Sequence, residues 1–303
     1  MKIFWAGAPT KVDDYLIKNH GNRLVTFAYP NDIKNYLNRV IKIESNIDQN
    51  IIIDCGAFSV WNKGDYIDLQ NYIDFLVQLK RNYGCYFNSM RFVTLDVIPG
   101  AKNKVPTNEE RKDAAEKGLA NLYVMLKTFK YNELIHIYHM YENHNYIDKI
   151  LENIDYIGIS PANDVSSKTK MNWLTDVFDY LPVVKTHGFA VTALNLMKEF
   201  PWYSVDSTSF KLSAGMGSIM TQWGVFNISK ESGKSVLNTR NIAVRNGIKE
   251  YIKELGMDES ELYTSDQARY LINAKYMINL QLELNESGKD NIYKYSKLQQ
   301  SLF

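Results

Sequence analysis

Cysteine is nearly missing from this chain: Cys55 and Cys85 are the only two in 303 residues. That is too few for a disulfide framework, and neither has a partner at metal-ligand spacing. A reducing, cytoplasmic setting is the expectation. Long apolar runs are missing too. None approaches the roughly 18–20 residues needed to cross a bilayer, and the opening Met1-Lys2-Ile3-Phe4-Trp5-Ala6-Gly7 turns polar too soon for a secretory signal. No membrane partner is expected. Charge of one sign is not in excess, since 35 Lys and Arg face 34 Asp and Glu for a net charge of +1. Without a global basic field the crude argument for nucleic-acid binding falls away, although a local basic patch is still allowed. Low-complexity tracts, internal repeats and a Pro/Gly/Ser-rich linker are absent as well.

What is present is the composition of a folded globular protein, 45% hydrophobic and 23% charged. Short apolar, β-branched runs alternate with longer amphipathic ones. The strand-like runs are Ile3–Ala6, Leu24–Ala28, Ile51–Asp54, Phe92–Val97, Leu134–Met140, Tyr156–Ile159, Val183–Thr186, Tyr203–Asp206 and Ser218–Phe226. Several are continuously hydrophobic, which suits parallel strands covered on both faces. Between them, Leu69, Tyr72, Ile73, Leu76 and Leu79 mark one helical stripe and Ala115, Leu119, Leu122, Leu126 and Phe129 another. The second opens with a capping-box pattern, Thr107 with Glu110. Trp173, Val177 and Leu181 mark a third, ended by Pro182. The alternation predicts a parallel α/β sheet, doubly wound or closed as a barrel. Nine strand candidates exceed the eight of a barrel, so one of the first two is expected to lie outside it. After about residue 236 only helices are predicted, over Ile242–Leu255 and Ser265–Leu284. The expected organisation is a (β/α)8 TIM-like barrel over residues 1–230, with a C-terminal helical extension, residues 231–303, packed on it.

In α/β barrels chemistry sits at the C-terminal strand ends. Three strands here run into aspartate: Asp54 in Asp54-Cys55-Gly56-Ala57-Phe58-Ser59, Asp96 in Asp96-Val97-Ile98-Pro99, and Asp206 in Asp206-Ser207-Thr208-Ser209. A carboxylate after a buried strand is costly unless it is paired, hydrogen-bonded or facing a solvated cleft. One alone reads as a helix cap, whereas three at equivalent positions point to a shared cleft. Two further strand ends are polar and carry glycine, Gly158-Ile159-Ser160 and Thr186-His187-Gly188. There a ligand could approach the backbone, or the chain could simply turn.

Other candidates carry less. His136, His139, Glu142 and His144 do not have a zinc spacing, and strand alternation sends His136 and His139 to opposite faces. No metal is expected there. Gly233-Lys234-Ser235 lacks the earlier glycine of a phosphate-binding loop, since position 228 is Ile228. Cys55 has no assignable His–Asp partner and reads as a small buried residue beside Asp54. Lys102 and Lys104, and Lys168 and Lys170, fall in loops on the presumed substrate face, with Arg240, Arg245 and Lys249 further on. Solubilising charge is the ordinary reading of any one cluster, and contact with a phosphate backbone is the functional one.

The strand ends together resemble the tRNA-guanine transglycosylase superfamily. Asp54-Cys55-Gly56-Ala57-Phe58-Ser59 is similar to its Asp-Ser-Gly-Gly-Phe-Gln motif, and Val205-Asp206-Ser207 to its Phe-Asp-Cys motif. Asp206-Ser207-Thr208-Ser209-Phe210, followed by Gly215 and Gly217, more closely resembles the DNA-directed branch in phages and bacteria, which exchanges guanine for a 7-deazaguanine. The likeness covers roughly residues 50 to 225 as short motifs in the right order. It implies a (β/α)8 barrel in which Asp206 is the nucleophile and Asp54 the general acid/base. Asp96 would then bind the base edge, Phe58 would stack on the base, Gly158 and Ser160 would contact its carbonyl side, and His187 and Gly188 would line the pocket. The residue types suit the reaction. Base exchange with retention needs two displacements on a carboxylate, and an acid/base that titrates near neutrality. The target base must also leave its stack.

Two departures are informative. The tRNA enzymes carry a Cys/His zinc site near the C-terminus, and this chain has no cysteine after Cys85. No cofactor is therefore expected, and DNA is favoured over tRNA as the polymer partner. Ser59 stands where the tRNA enzymes have Gln, so base specificity is expected to differ. The partners implied are DNA, with tRNA as the alternative, a 7-deazaguanine base and a helper protein if the duplex must be opened. The setting would be the host cytoplasm for a phage-encoded protein. Open alternatives are a nucleobase glycosylase in which water completes the reaction, base exchange on tRNA, and a non-catalytic barrel that binds nucleic acid or a modified nucleotide.

Overall fold

The computed structural model describes residues 1–7, 10–43, 48–100, 104–162, 165–191, 193–229 and 242–286. Eight strands, all parallel, close into a barrel in chain order: β1 (Lys2–Ala6), β2 (Asn22–Thr26), β3 (Asn50–Asp54), β4 (Ser89–Val93), β5 (Leu134–His139), β6 (Tyr156–Ser160), β7 (Lys185–Gly188) and β8 (Ser204–Ser207). Closure is by β1 against β8, with Phe4 opposite Asp206. The expected (β/α)8 barrel with C-terminal helices is what the chain forms. One detail is corrected. Both of the first two strands belong to the barrel, and the ninth run lies outside it as an antiparallel hairpin, β9 (Ser218–Thr221) and β10 (Gly224–Asn227).

Helices cover the barrel between strands. They are α1 (Thr10–Lys18), α2 (Pro30–Ile43), α3 (Ala57–Trp61), α4 (Leu69–Tyr83), α5 (Asn108–Met125), α6 (Asn145–Leu151), α7 (Ser167–Tyr180), α8 (Leu194–Glu199) and α9 (Ser209–Gly215). The continuous apolar run of β3 is explained by this double cover, since Ile51, Ile52 and Ile53 are fully buried. The stripes of α4 and α5 face the strands. Thr107 and Glu110 form the anticipated reciprocal capping box, in which the Glu110 N–H donates to Thr107 Oγ1 at 3.1 Å and the Thr107 N–H to Glu110 Oε2 at 2.7 Å.

Two contacts fix the strand ends that matter later. The buried Tyr72 hydroxyl of α4 donates to the Val93 carbonyl at 2.8 Å, pinning the end of β4. From α5, the Asn121 amide donates to the Leu95 carbonyl at 2.8 Å, one residue before Asp96. The opposite, N-terminal end of the barrel is plugged by hydrogen-bonded side chains. Asn50 Nδ2 donates to Asn22 Oδ1 at 2.7 Å, and Ser89 Oγ and Lys2 Nζ donate to Asn50 Oδ1 at 2.9 and 3.1 Å.

After β8 come α9, the hairpin, α10 (Ile242–Glu254), α11 (Glu259–Thr264) and α12 (Asp266–Glu286). Helix α12 joins the barrel core through Ala274, Met277 and Leu280. It also contributes Ile272 to a second cluster with Ile219, Ile228, Ile248 and Ile252. The fully buried Asn273 sits between the two. Its amide donates to the carbonyls of Phe210 (3.0 Å) and Ser218 (3.2 Å), and its oxygen accepts from the Met220 N–H (2.7 Å). Among the described residues, no helix is long and apolar enough to cross a membrane. Removing the Asn273 amide takes the side-chain partner from three backbone groups on α9 and β9. Asn273→Ala is expected to cost about 3 kcal/mol, read as a lower urea midpoint at unchanged denaturant slope.

Candidate active site

The C-terminal end of the barrel opens into a cavity of about 1850 Å³ that continues over the groove between α1 and α2. Asp54, Asp96 and Asp206 all line it. Each is delivered by the pleat. Asp54 is the last residue of β3, and Asp206 follows the outward, fully buried Val205 on β8. Asp96 follows the pinned Leu95.

The three carboxylates occupy different environments. Asp206 is buried, and its Oδ1 accepts the Ala190 N–H at 2.8 Å. Asp54 accepts the Gly56 N–H at 3.1 Å. Burial pushes the Asp54 carboxyl up to about 6, with the negative charges of Asp206 and Asp96 adding to it against the Thr26 and Gly56 donors. Asp96 goes the other way. Burial would raise it, but the charge and hydrogen bond of His139 outweigh that and hold it below the usual range. The contact is Asp96 Oδ1 to His139 Nε2 at 2.8 Å. Burial disfavours the His139 imidazolium, yet Asp96, with help from Glu142, pushes it up to about 9. Asp96 and His139 are thus a neutral ion pair at pH 7. Asp54 is a cavity carboxyl raised towards neutrality; Glu142, which accepts the His139 N–H and is not part of the cavity wall, is also pushed up by burial, to about 7.

The histidines divide as strand alternation requires. His139 lines the cavity. His136 points out of the barrel towards Gly118 of α5 and bonds Thr94 Oγ1 through Nδ1 at 2.6 Å. Burial drives its pKa down to about 4, so it stays neutral. Among the described residues, no group of three or more His, Cys, Asp or Glu is placed to hold a metal ion. Cys55 is buried beside Asp54, and Cys85 is exposed between α4 and β4.

Of the other expected site residues, Phe58 and Ser160 line the cavity. Phe58 is 55% exposed and stacks on Trp61, with ring centroids 6.1 Å apart. Trp61 is itself anchored by donating to the Gly100 carbonyl at 3.2 Å. His187, Gly158 and Gly188, also expected at the base pocket, are not among the residues that line the cavity. The register explains why. His187 is opposite Ser204 on β8 and Gly158 on β6, so it lies two residues below Asp206 and is completely buried. Gly158 makes room for the Phe189 ring, which a Cβ would meet at 2.5 Å. Gly188 has the opposite parity, and a Cβ there would meet Val191 and Trp202 at 2.8 and 3.0 Å. Lys104 lines the cavity, whereas Lys168 and Lys170, at the start of α7, are not part of its wall. Lys102 lies outside the described residues.

Sequence reasoning missed Trp61, Arg111, Tyr141 and Lys211, all of which line the cavity. Arg111 lies over the exposed ring of Tyr141, 5.1 Å from its centroid, and Lys63 lies over the exposed ring of Tyr29 at the same distance. Tyr141 also has a positive φ of 73°, rare for a side chain of this size. No sequence pattern marked these residues, because each cation and its ring come from different loops or helices.

No protein-family model matches the chain, and no curated protein matches its sequence.

The raised Asp54 carboxyl has a sign that can be tested. Its native-state pKa lies above the unfolded value, so its contribution to stability is full at low pH and is lost as pH rises from about 4 through about 6. Relative to Asp54→Asn, the wild type is expected to lose stability over that window. In Asp206→Asn the loss should move to lower pH, because a negative neighbour has been removed. Thermal midpoints measured between pH 4 and 7 check both.

Proposed function

We propose that this protein is a base-exchange transglycosylase that replaces guanine in a polynucleotide, DNA in the first instance, with a 7-deazaguanine. The observation that carries the reading is the pairing of Asp206 and Asp54 in one cavity. Asp206 is a buried carboxylate with one oxygen held by a backbone N–H, and Asp54 is a second carboxyl that its charge helps keep protonated to about pH 6. Two carboxyl groups with such different surroundings suit a nucleophile and an acid/base.

In this mechanism Asp206 attacks C1′ of the target nucleotide, forming a C1′–O bond as the C1′–N9 bond breaks. Protonated Asp54 gives its proton to the departing guanine. The incoming 7-deazaguanine then surrenders its N9 proton to Asp54, attacks C1′ and expels Asp206. The proton given in the first half is regained in the second, and retention follows from two displacements. Asp96 has Oδ1 occupied by His139 and the Val97 N–H. Its Oδ2 accepts the N1–H or 2-amino edge of the base. The Ser160 hydroxyl donates to the carbonyl oxygen, and Phe58 offers a stacking face.

A polymer is favoured over a free nucleoside by the rim of the cavity. Its rim carries exposed aromatic rings paired with cations, Tyr29 with Lys63 and Tyr141 with Arg111. Such platforms hold unstacked bases without reading sequence.

The test is to incubate the protein with duplex DNA or tRNA and a labelled 7-deazaguanine, digest to nucleosides and analyse by mass. Label entering DNA is the expected result, and label entering tRNA alone moves the substrate to RNA. Abasic sites without label mean that water completes the reaction. No change in either polymer refutes base exchange. Asp206→Ala should abolish the covalent polynucleotide adduct, and an adduct surviving in that variant removes Asp206 from the nucleophile role. Asp54→Asn should slow turnover by about 100-fold or more.

A further inference from the structure

Beneath Asp206 lies a line of buried polar side chains that the mechanism above does not use. The Tyr156 hydroxyl meets Ser204 Oγ, and Ser204 Oγ meets His187 Nδ1. His187 Nε2 points up at Asp206 Oδ1 across 3.5 Å. His187 is fully buried, and among the described residues Nε2 has no hydrogen-bond partner. Its ring is clamped edge-on by Phe4, Tyr156 and Phe189, with centroids 5.8, 6.3 and 4.5 Å away. The three rings restrict its rotation.

Of the two neutral tautomers, one satisfies the whole line. If Nδ1 carried the proton, the Nε2 lone pair would face the carboxylate in a place without solvent. Ser204 Oγ would then either accept from both Nδ1 and Tyr156, leaving its own proton without an acceptor in the line, or donate to Tyr156, whose proton would then have none. If Tyr156 donates to Ser204 and Ser204 to Nδ1, every donor has an acceptor and Nε2–H faces Oδ1. Burial pushes the Tyr156 phenol well up, so it retains its proton and stays the terminal donor.

We infer that His187 is a positioning residue for Asp206: its Nε2–H, oriented by Tyr156 and Ser204, restrains Oδ1 together with the Ala190 N–H and leaves Oδ2 as the attacking oxygen. The identity of Asp206 as nucleophile rests on the proposed function, whereas the orientation of His187 does not. At 3.5 Å the contact is longer than a formed hydrogen bond, and it must shorten for the restraint to act. A donor on Oδ1 also stabilises the carboxylate as it leaves C1′, so its loss should weigh on the second displacement.

Two measurements on the full chain test this. The first is the histidine tautomer in the ¹⁵N-labelled protein, from long-range ¹H–¹⁵N spectra, with His187 assigned by loss of its signals in His187→Gln. A protonated Nε2 with an unprotonated Nδ1 is expected, and the reverse tautomer overturns the inference whatever reaction Asp206 performs. The second compares His187→Asn, whose amide reaches only the Nδ1 position, with His187→Gln, whose amide reaches that of Nε2. His187→Asn should lower kcat on the order of 10- to 100-fold, with KM for the base little changed and the covalent adduct accumulating. His187→Gln should recover most of the rate. Wild-type turnover in His187→Asn, or an equal loss in both variants, overturns the positioning role. Absence of base exchange by the wild type counts against the proposed function and not against the His187 orientation, which the tautomer decides alone.

Discussion

The pairing of β1 with β8 is the constraint on which the cavity depends. It places Asp206 opposite Phe4 and closes the sheet, so that a residue on the last strand shares a low-dielectric mouth with Asp54 on the third. In an open sheet of the same strand order those carboxylates would stand five strands apart. Closure makes them electrostatic neighbours, and the charge of one helps keep a proton on the other. The three strand-end acids differ in their surroundings: Asp206 accepts the Ala190 N–H, Asp96 is paired with an imidazolium, and Asp54, on the Gly56 N–H, is raised mainly by burial.

The Asp96–His139 pair lowers the net negative charge of the cavity. Unpaired, a third carboxylate would repel any polynucleotide and raise Asp54 further. Paired, it is a neutral dipole whose Oδ2 has no partner among the described residues, suited to an N–H edge rather than to a phosphate. Cations brought to the rim by other elements, Lys104, Arg111 and Lys211, then face a mouth that is less acidic than its three aspartates imply. The near-zero net charge of the chain is consistent with this separation and says little about the partner.

The C-terminal helices have a structural part that can be stated without reference to chemistry. Helix α12 belongs to two cores at once, and Asn273 ties the hairpin to the end of the barrel through backbone groups on both sides. Helix α9, which begins two residues after Ser207, is held in the same way, since Arg269 of α12 donates to the Ala214 carbonyl at 2.9 Å. Packing on the outside thereby steadies the strand that carries Asp206.

The alternation of apolar runs and amphipathic stripes determined a parallel α/β sheet, because strand and helix periods are local properties of the chain, but it left open whether the sheet closes, which the β1–β8 pairing decides. The same holds for Asp54, Asp96 and Asp206: an acid directly after a buried run is visible in a few residues. Which strand stayed outside was not visible. Asn22 and Arg23 make β2 look marginal, yet Asn22 bonds into the polar plug and Arg23 pairs with the buried Asp13 at 2.9 Å. These partners lie on other elements. The histidines show the same limit. Alternation separated His136 from His139, but only the fold brought His139 to Asp96, 43 residues away in sequence. His187 stands at a strand end and reads as a pocket residue. The β7–β8 register places it level with Ser204, about two strand residues below the mouth. Side-chain parity is written in the sequence, but depth in a barrel depends on the stagger between strands, and that is settled only when the sheet closes.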